Sequence, residues 1–144
     1  MGFGLPAAIG AQIASPEKLV VDVAGDGSIQ MNIQEMGTVM QYKLPVKIVI
    51  LNNGYLGMVR QWQQLFYDCC YSCTQMIDSP DFVRLAEAYG AVGLRATKPE
   101  EVEKTLRKGL SMPKAVIMDF VVEKEECVYP MVPSGKPITE MLLV

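Results

Sequence analysis

The sequence contains no histidine and only one tryptophan among its 144 residues. Histidine is the side chain that most often transfers protons near neutral pH, so acid or base chemistry must use carboxylates, lysine or tyrosine, or a cofactor. Blocks of basic residues are absent as well, and the net charge is −3. We therefore expect no nucleic acid and no anionic membrane surface among the partners.

Long apolar runs are also missing, because the longest stretches are short of the roughly 20 residues that a membrane-spanning helix needs. The N-terminus lacks the basic region, apolar core and cleavage site of a secretory signal. We expect a cytoplasmic protein, or one inside an organelle if the source is eukaryotic. With half of its 144 residues hydrophobic, the chain can build the core of a single domain.

Cysteine is scarce, with four residues at positions Cys69, Cys70, Cys73 and Cys127. The spacing of Cys70 and Cys73 would suit a zinc or redox pair, but no second pair at metal-site spacing accompanies them. Reduced thiols in a polar loop over residues 68–79 are the favoured interpretation.

Two apolar runs, residues 19–24 and 46–51, are typical of parallel strands buried on both faces. The first ends in Gly25-Asp26-Gly27-Ser28 and the second in Asn52-Asn53. Because the carboxyl ends of parallel strands meet at one edge of a sheet, we expect both polar groups there. Alone, Asn52-Asn53-Gly54 would be taken for an ordinary turn.

Helical patterns alternate with the strands. A slim helix with Pro6 in its first turn is predicted over residues 1–14, and an apolar stripe at helical spacing runs from Ile29 to Tyr42. Further helices are predicted over residues 80–89, closed by Gly90, and 98–110, with strands over 91–96 and 115–122. The pattern predicts an α/β fold with three layers: a doubly wound, mostly parallel sheet with helices on both faces.

The residues at the predicted edge suit a metal and an anion. Asp26 offers an anionic oxygen and Asn53 a neutral carbonyl oxygen, the ligands that Mg²⁺ prefers. Gly25 and Gly27 allow backbone N–H groups to approach an anion, and Ser28 begins a segment whose helix N-terminus favours negative charge. The sequence therefore predicts a site for a metal-bridged diphosphate.

Four segments carry a family resemblance: MGFGLPAAIGA, GDGSIQMNIQE, LNNGYLGMVRQWQ and MVPSG. Together they resemble the C-terminal thiamine diphosphate (ThDP) binding domain of the acetolactate synthase (acetohydroxyacid synthase) catalytic subunit. The resemblance covers residues 1–144, so we expect one ThDP-binding domain over that range. Where the family carries a charged pair, this chain has Cys69 and Cys70, which leaves the loop contacts there open.

The resemblance implies ThDP and Mg²⁺ as cofactors and assigns the site residues. The metal ligands would be Asp26, Asn53 and the backbone carbonyl of Tyr55. Met58, Trp62 and Ser134 would line the substrate and inhibitor channel, and no catalytic residue is expected in the chain. Cofactor contacts are expected from Met1, Gly25, Asp26, Gly27, Ser28, Asn53, Tyr55, Leu56, Gly57 and Met58.

For the whole enzyme, the resemblance implies decarboxylation of pyruvate and transfer of the two-carbon unit to a second 2-keto acid, pyruvate or 2-ketobutyrate. This is a step of branched-chain amino-acid biosynthesis. The family's activating glutamate and its FAD lie on other domains, including those of a second catalytic subunit, and a regulatory small subunit is a further candidate partner. We thus expect a fragment of an oligomeric catalytic subunit, inactive alone.

Two alternatives stay open. One is another ThDP-dependent 2-keto acid decarboxylase or carboligase, which the segments GMVRQWQ and MVPSG argue against. The other is a non-catalytic ThDP-binding interaction module.

Overall fold

Four parallel strands form the sheet at the centre of the computed structural model, which describes residues 1–143. The strands are β1 (Val21–Gly25), β2 (Lys47–Asn52), β3 (Val92–Ala96) and β4 (Val116–Val121), in the order β1-β2-β4-β3. The sheet therefore has β2 and β4 in its middle, where four of the six residues of β2 and five of the six residues of β4 are buried.

Six helices surround the sheet in the described residues: α1 (Gly4–Ala14), α2 (Asp26–Ile29), α3 (Met36–Gln41), α4 (Gly57–Phe66), α5 (Phe82–Tyr89) and α6 (Pro99–Ser111). One core lies between α1, α3, α5 and one face of the sheet, and includes Met36, Ile48 and Phe82. A second core lies under α6 on the other face, where Met118 and Phe120 contact Val102 and Leu106. The predicted α/β fold, a parallel sheet with helices on both faces, is confirmed.

Strand β1 differs from its prediction, because it is buried on one face only. Asp22 and Ala24 point into the first core, while Val21 and Val23 are 40% and 64% exposed. The reason is the position of β1 at one edge of the sheet. Helix α6 covers β3 and β4, which lie towards the other edge, and leaves this face of β1 open. An apolar run alone does not distinguish an edge strand from a central one.

The helix predicted from Ile29 to Tyr42 is broken in the structure. Helix α2 is followed by a 3-10 segment, Gln30–Glu35, in which Asn32 has non-helical backbone angles (φ −136°, ψ 31°), and α3 begins at Met36. The Asn32 side chain donates a 2.5 Å hydrogen bond to the carbonyl of Gly2. Such a side-chain bond competes with regular helix geometry. Ile29 and Met36 are nevertheless buried, as the stripe predicted.

The remaining chain consists of a loop over residues 67–81 and an irregular arm after β4. The loop carries Cys69, Cys70 and Cys73, whose thiols are exposed. The arm contains one short 3-10 segment, Ile138–Glu140. Within residues 1–143, no helix combines the length and the apolar character needed to cross a membrane.

Candidate functional site

The carboxyl ends of β1 and β2 lie side by side. Their register pairs Gly25 with Leu51, so the chain leaves both strands at the same edge of the sheet. Asp26 follows β1 directly, and Asn53 follows β2. This is the edge at which open α/β sheets bind their ligands.

A cavity of about 340 Å³ lies at this edge. The structure places in its wall all ten residues for which cofactor contacts were predicted, from Met1 and Gly25 to Met58. Leu51, Val59, Val122, Glu123 and Glu126 complete the lining and were not predicted. The juxtaposition is a structural fact, and the cofactor role of these residues stays a prediction.

Asp26 is a buried carboxylate in the wall of this cavity, and within residues 1–143 one of its oxygen atoms lacks a hydrogen-bond partner. Its side chain is 1% exposed, and its Oδ2 atom has no hydrogen-bond partner among the described residues. Burial raises the pKa of the carboxyl, although the nearby backbone N–H groups of Gly27, Asn53 and Gly54 act in the opposite direction. A buried carboxylate with a free oxygen costs free energy unless a cation pairs with it. The site therefore fits a hard divalent cation such as Mg²⁺.

The turn after β2 is held rigidly beside Asp26. The backbone N–H of Tyr55 donates to Oδ1 of Asn53 at 3.1 Å, and Gly54 has the positive φ of 69° that such a turn requires. Two backbone hydrogen bonds tie the turn to the 67–81 loop: Leu56 N–H to the Thr74 carbonyl and Met76 N–H to the Gly54 carbonyl, both 2.8 Å. No residue pattern predicts these loop contacts, because they involve backbone atoms.

The glycine-rich turn after β1 is open on one side and tightly packed on the other. A Cβ atom on Gly25 would meet nothing within 4 Å, so its backbone is accessible from the cavity. A Cβ atom on Gly27 would lie 2.6 Å from Cδ2 of Leu56, so this position accepts only glycine without movement of Leu56. The Ser28 hydroxyl oxygen accepts the Gly2 N–H at 3.1 Å and so ties the N-terminal segment to the site.

A second cavity, of about 490 Å³, opens beside the first. Met58 and Trp62, one turn apart on α4, line it together with Val59, Gln63, Tyr67 and Cys70. Met58 and Val59 line both cavities and so connect them. Ser134 lies apart: it is exposed on the arm and is absent from the walls of both cavities in the described structure.

Two polar residues of α4 hold the arm and were missed by the sequence interpretation. Gln61, 2% exposed, accepts the Val128 N–H at 2.8 Å and donates to the Val128 carbonyl at 2.9 Å. Arg60, 6% exposed, pairs with Glu125 at 3.1 Å and stacks on the ring of Tyr71 at 4.9 Å. Polar residues in an amphipathic helix are normally assigned to solvent, so the pattern gave no reason to expect them buried.

Comparisons with known proteins agree with this geometry. The family model described as "Thiamine pyrophosphate enzyme, C-terminal TPP binding domain" matches residues 1–120; thiamine pyrophosphate (TPP) is a second name for ThDP. The acetolactate synthase isozyme 3 large subunit of Escherichia coli is 53% identical over 99% of the chain. The acetolactate synthase large subunits of Haemophilus influenzae and Porphyra purpurea are 51% and 50% identical over 99% of the chain.

A solved structure is similar as well. The thiamine diphosphate-dependent 4-hydroxybenzoylformate decarboxylase of Rhodococcus jostii RHA1 is 35% identical, with a TM-score of 0.78 over 88% of this chain and 24% of its own. The chain also spans only about a quarter of the length of the curated relatives it matches.

Proposed function

The chain belongs to the thiamine pyrophosphate enzymes and carries their C-terminal TPP-binding domain, and from this membership we propose that it is the cofactor-binding part of an acetolactate synthase. One observation carries the proposal. The buried carboxylate of Asp26, whose Oδ2 atom has no partner among the described residues, lies beside Asn53 at the sheet edge, in a chain about half identical to acetolactate synthase large subunits.

In this proposal, Asp26, Asn53 and the backbone carbonyl of Tyr55 bind Mg²⁺, and the open backbone at Gly25 with Gly27 and Ser28 binds the diphosphate of ThDP. Met1, Leu56, Gly57 and Met58 contact the rest of the cofactor. Bound ThDP supplies the electron sink that decarboxylation of a 2-keto acid needs. The described residues bind and orient the cofactor, and none of them is proposed as a catalytic acid or base.

The substrate reaches the cofactor through the second cavity. Met58 and Trp62 form its apolar wall, and Ser134 would join them when the arm lies across the entrance. An apolar wall suits the alkyl group of a small 2-keto acid, because apolar surface is preferentially buried against apolar surface.

The activity of the whole protein is part of the same proposal. It would decarboxylate pyruvate and condense the two-carbon unit with pyruvate or 2-ketobutyrate, in branched-chain amino-acid biosynthesis in the cytoplasm or inside an organelle. The activating glutamate and FAD would come from other domains of an oligomeric catalytic subunit and from its second copy, with a regulatory small subunit as a further partner. Residues 1–144 alone are then expected to form no acetolactate.

Titration calorimetry tests the cofactor site directly. ThDP is titrated into the chain with Mg²⁺ and with EDTA, and the same titrations are made on Asp26→Ala, Asn53→Ala and the control Asp78→Ala, which removes an exposed loop carboxylate. We expect binding that requires Mg²⁺, is lost in both site variants and is unchanged in the control. Binding that is equally strong in EDTA, or in both site variants, would contradict the proposed metal site.

A second candidate is a decarboxylase for an aromatic 2-keto acid, favoured by the similarity to the 4-hydroxybenzoylformate decarboxylase. The two are separated by the products of the complete enzyme that contains this chain. Acetolactate from pyruvate supports the first proposal. Benzaldehyde from benzoylformate, without acetolactate from pyruvate, supports the second.

A further inference from the structure

A buried carboxylate outside the cavity connects to the turn that presents Asn53. Asp119, in the middle of β4, is 0% exposed. Its Oδ1 accepts a hydrogen bond from Nδ2 of Asn52 at 3.1 Å, and its Oδ2 accepts from Nε of Arg95 at 2.8 Å. Asn52 is the last residue of β2 and directly precedes Asn53.

The arrangement follows from the sheet. In the register, Asp119 is paired with Ile50 on one side and with Arg95 on the other. Asn52, two residues beyond Ile50, lies on the same face of the sheet and reaches back to Asp119. Arg95 on β3 completes the row and also donates to Asp81 at 2.8 Å, at the surface end of the network. Three neighbouring strands thus contribute one continuous chain of hydrogen bonds.

We propose that Asp119, held by Arg95, is a positioning residue that fixes the Asn52 side chain and with it the turn over residues 53–57. The consequence of this positioning rests on the proposed function, in which the turn presents Asn53 and the Tyr55 carbonyl to the metal. Asp119 itself does not reach the metal or the cofactor cavity, whose lining it does not join.

Stability alone gives a weak reason for this network. Asp119 is completely buried and loses its hydration, whereas the Arg95 side chain is 35% exposed. The attraction between a buried charge and its partner often does little more than offset that loss, and apolar residues of similar volume can stabilise a fold as well. The hydrogen bonds instead orient the side chains. Arg95 and Asn52 each donate to one oxygen of Asp119, so both oxygens are occupied and the carboxylate is held in one orientation. This orientation in turn holds the Asn52 side chain in place. Groups that orient metal ligands from outside the first coordination sphere typically change metal affinity 10- to 100-fold when they are replaced.

The test uses Asp119→Asn, which keeps the shape of the side chain, and Asn52→Ser, which removes the other end of the same contact. Mn²⁺, which shares the oxygen ligands of Mg²⁺, is titrated into the chain with ThDP and followed by electron paramagnetic resonance. Without metal, hydrogen exchange of the backbone amides of residues 53–57 is measured. We expect the dissociation constant for Mn²⁺ to rise about tenfold in both variants, and the amides to exchange faster.

Two matched controls separate positioning from general destabilisation. Asp81→Asn removes a charge from the same Arg95 at its exposed end, without touching Asn52. Ile117→Val removes one methylene from the core side of β4, two residues before Asp119. Both controls are expected to keep the Mn²⁺ dissociation constant and the exchange of residues 53–57 within twofold of the wild type.

The outcomes distinguish this inference from the proposed function. Unchanged exchange and unchanged Mn²⁺ affinity in Asp119→Asn and Asn52→Ser would overturn the inference while leaving the metal site intact. A wild-type chain that binds no Mn²⁺ with ThDP, but whose turn exchanges faster in both variants, would overturn the proposed function and retain the positioning of the turn. An equal effect of Ile117→Val would reduce Asp119 to a general stabilising role and overturn the inference.

Discussion

Two aspartates on the same strand and its end, Asp22 and Asp26, are buried, and each has an Oδ2 atom without a hydrogen-bond partner in the described structure. Burial raises the pKa of both carboxyl groups. Only Asp26 lines the cavity at the sheet edge, whereas Asp22 lies under the start of α1, close to Gly4. Comparing the two residues therefore separates the effect of a buried carboxylate on stability from its effect on cofactor binding.

At the residue scale, Asp26→Asn is expected to increase the free energy of unfolding of the cofactor-free chain by about 1 kcal/mol at pH 7, because a buried charge is removed. The pKa of Asp26 is higher in the folded state than in the unfolded state. Just above pH 4 the folded state therefore binds more protons than the unfolded state, and at higher pH the charge on Asp26 destabilises the fold. The gain should therefore vanish below about pH 4. Urea unfolding at both pH values measures it.

The control for this prediction is Asp22→Asn, which should give a similar gain in stability but leave Mg²⁺-dependent ThDP binding unchanged. Asp26→Asn should weaken that binding strongly. Destabilisation by Asp26→Asn at pH 7 would contradict the prediction, because it would mean that the backbone hydrogen bonds to the Asp26 carboxylate outweigh the cost of burying its charge.

Site residues whose signal is local could be predicted from the sequence. Asp26 and Asn53 each follow an apolar run and stand next to glycine, and the structure brings them together at one edge. Asp119 and Arg95 gave no such signal. Asp119 is embedded in an apolar strand, and its partners are 24 and 67 residues away along the chain. Contacts at such separations depend on the order of the strands, which the sequence pattern did not specify.

At the scale of one element, α5 begins with a carboxylate that serves two purposes. Asp81 accepts the backbone N–H groups of Val83 and Arg84 at 2.9 and 3.2 Å and thereby caps the helix, and it also accepts from Arg95. The Arg84 N–H and the Arg95 guanidinium hold the pKa of Asp81 below its usual value. The helix closes at Gly90, whose φ of 84° is the left-handed conformation that glycine adopts readily.

Asp81→Asn should keep the cap but lose the charge, since asparagine caps helices as well as aspartate does. Because Asp81 is half exposed, we expect the free energy of unfolding to fall by only about 0.5 kcal/mol at pH 7. The folded pKa is lowered, so the carboxylate's contribution is complete above the unfolded value of about 3.9 and disappears as the pH falls through the folded pKa. Denaturation of both chains from pH 7 to pH 2 tests this, and a gap that persists at pH 2 would contradict it.

Elements were predicted well in kind and less well in extent. Strands β1 to β4 and helices α1, α5 and α6 lie within one to three residues of their predicted ends. The helix break at Asn32 was missed because its cause is the Gly2 carbonyl, 30 residues earlier in the chain. The exposed face of β1 was missed because an edge position is a property of the sheet, not of the strand.

At the scale of the whole molecule, β1 leaves apolar side chains in contact with solvent. Val21, Val23 and Leu51, on neighbouring strands, are 40%, 64% and 45% exposed. They lie on the same face of the sheet as the second core, beyond the part of that face that α6 covers. An apolar face next to a free strand edge promotes self-association. We therefore expect this chain to associate at high concentration.

Val23→Lys should reduce that association, because an edge-strand lysine opposes strand pairing between molecules. Sedimentation velocity over a range of concentrations measures the effect, with thermal unfolding as a check on the fold. The matched control is Ile77→Lys, which makes the same change at a loop residue that is 77% exposed. Equal reductions in the two variants would assign the effect to net charge and not to the β1 face.

The strand order β1-β2-β4-β3 also determines when each strand can join the sheet during synthesis on the ribosome. The strand made last, β4, is inserted between β2 and β3, and it pairs Val116 with Lys47, which lies 69 residues earlier in the chain. A growing chain can therefore join β1 to β2 early, but the free edges of β2 and β3 must wait until residue 121 has left the ribosome. At the usual pace of about 5–20 residues per second, that wait lasts several seconds. During this interval Asp26 and Asn53 can already be neighbours at the ends of β1 and β2. Asp119, which we propose orients the turn after β2, and the cavity residues Val122, Glu123 and Glu126 have yet to be added.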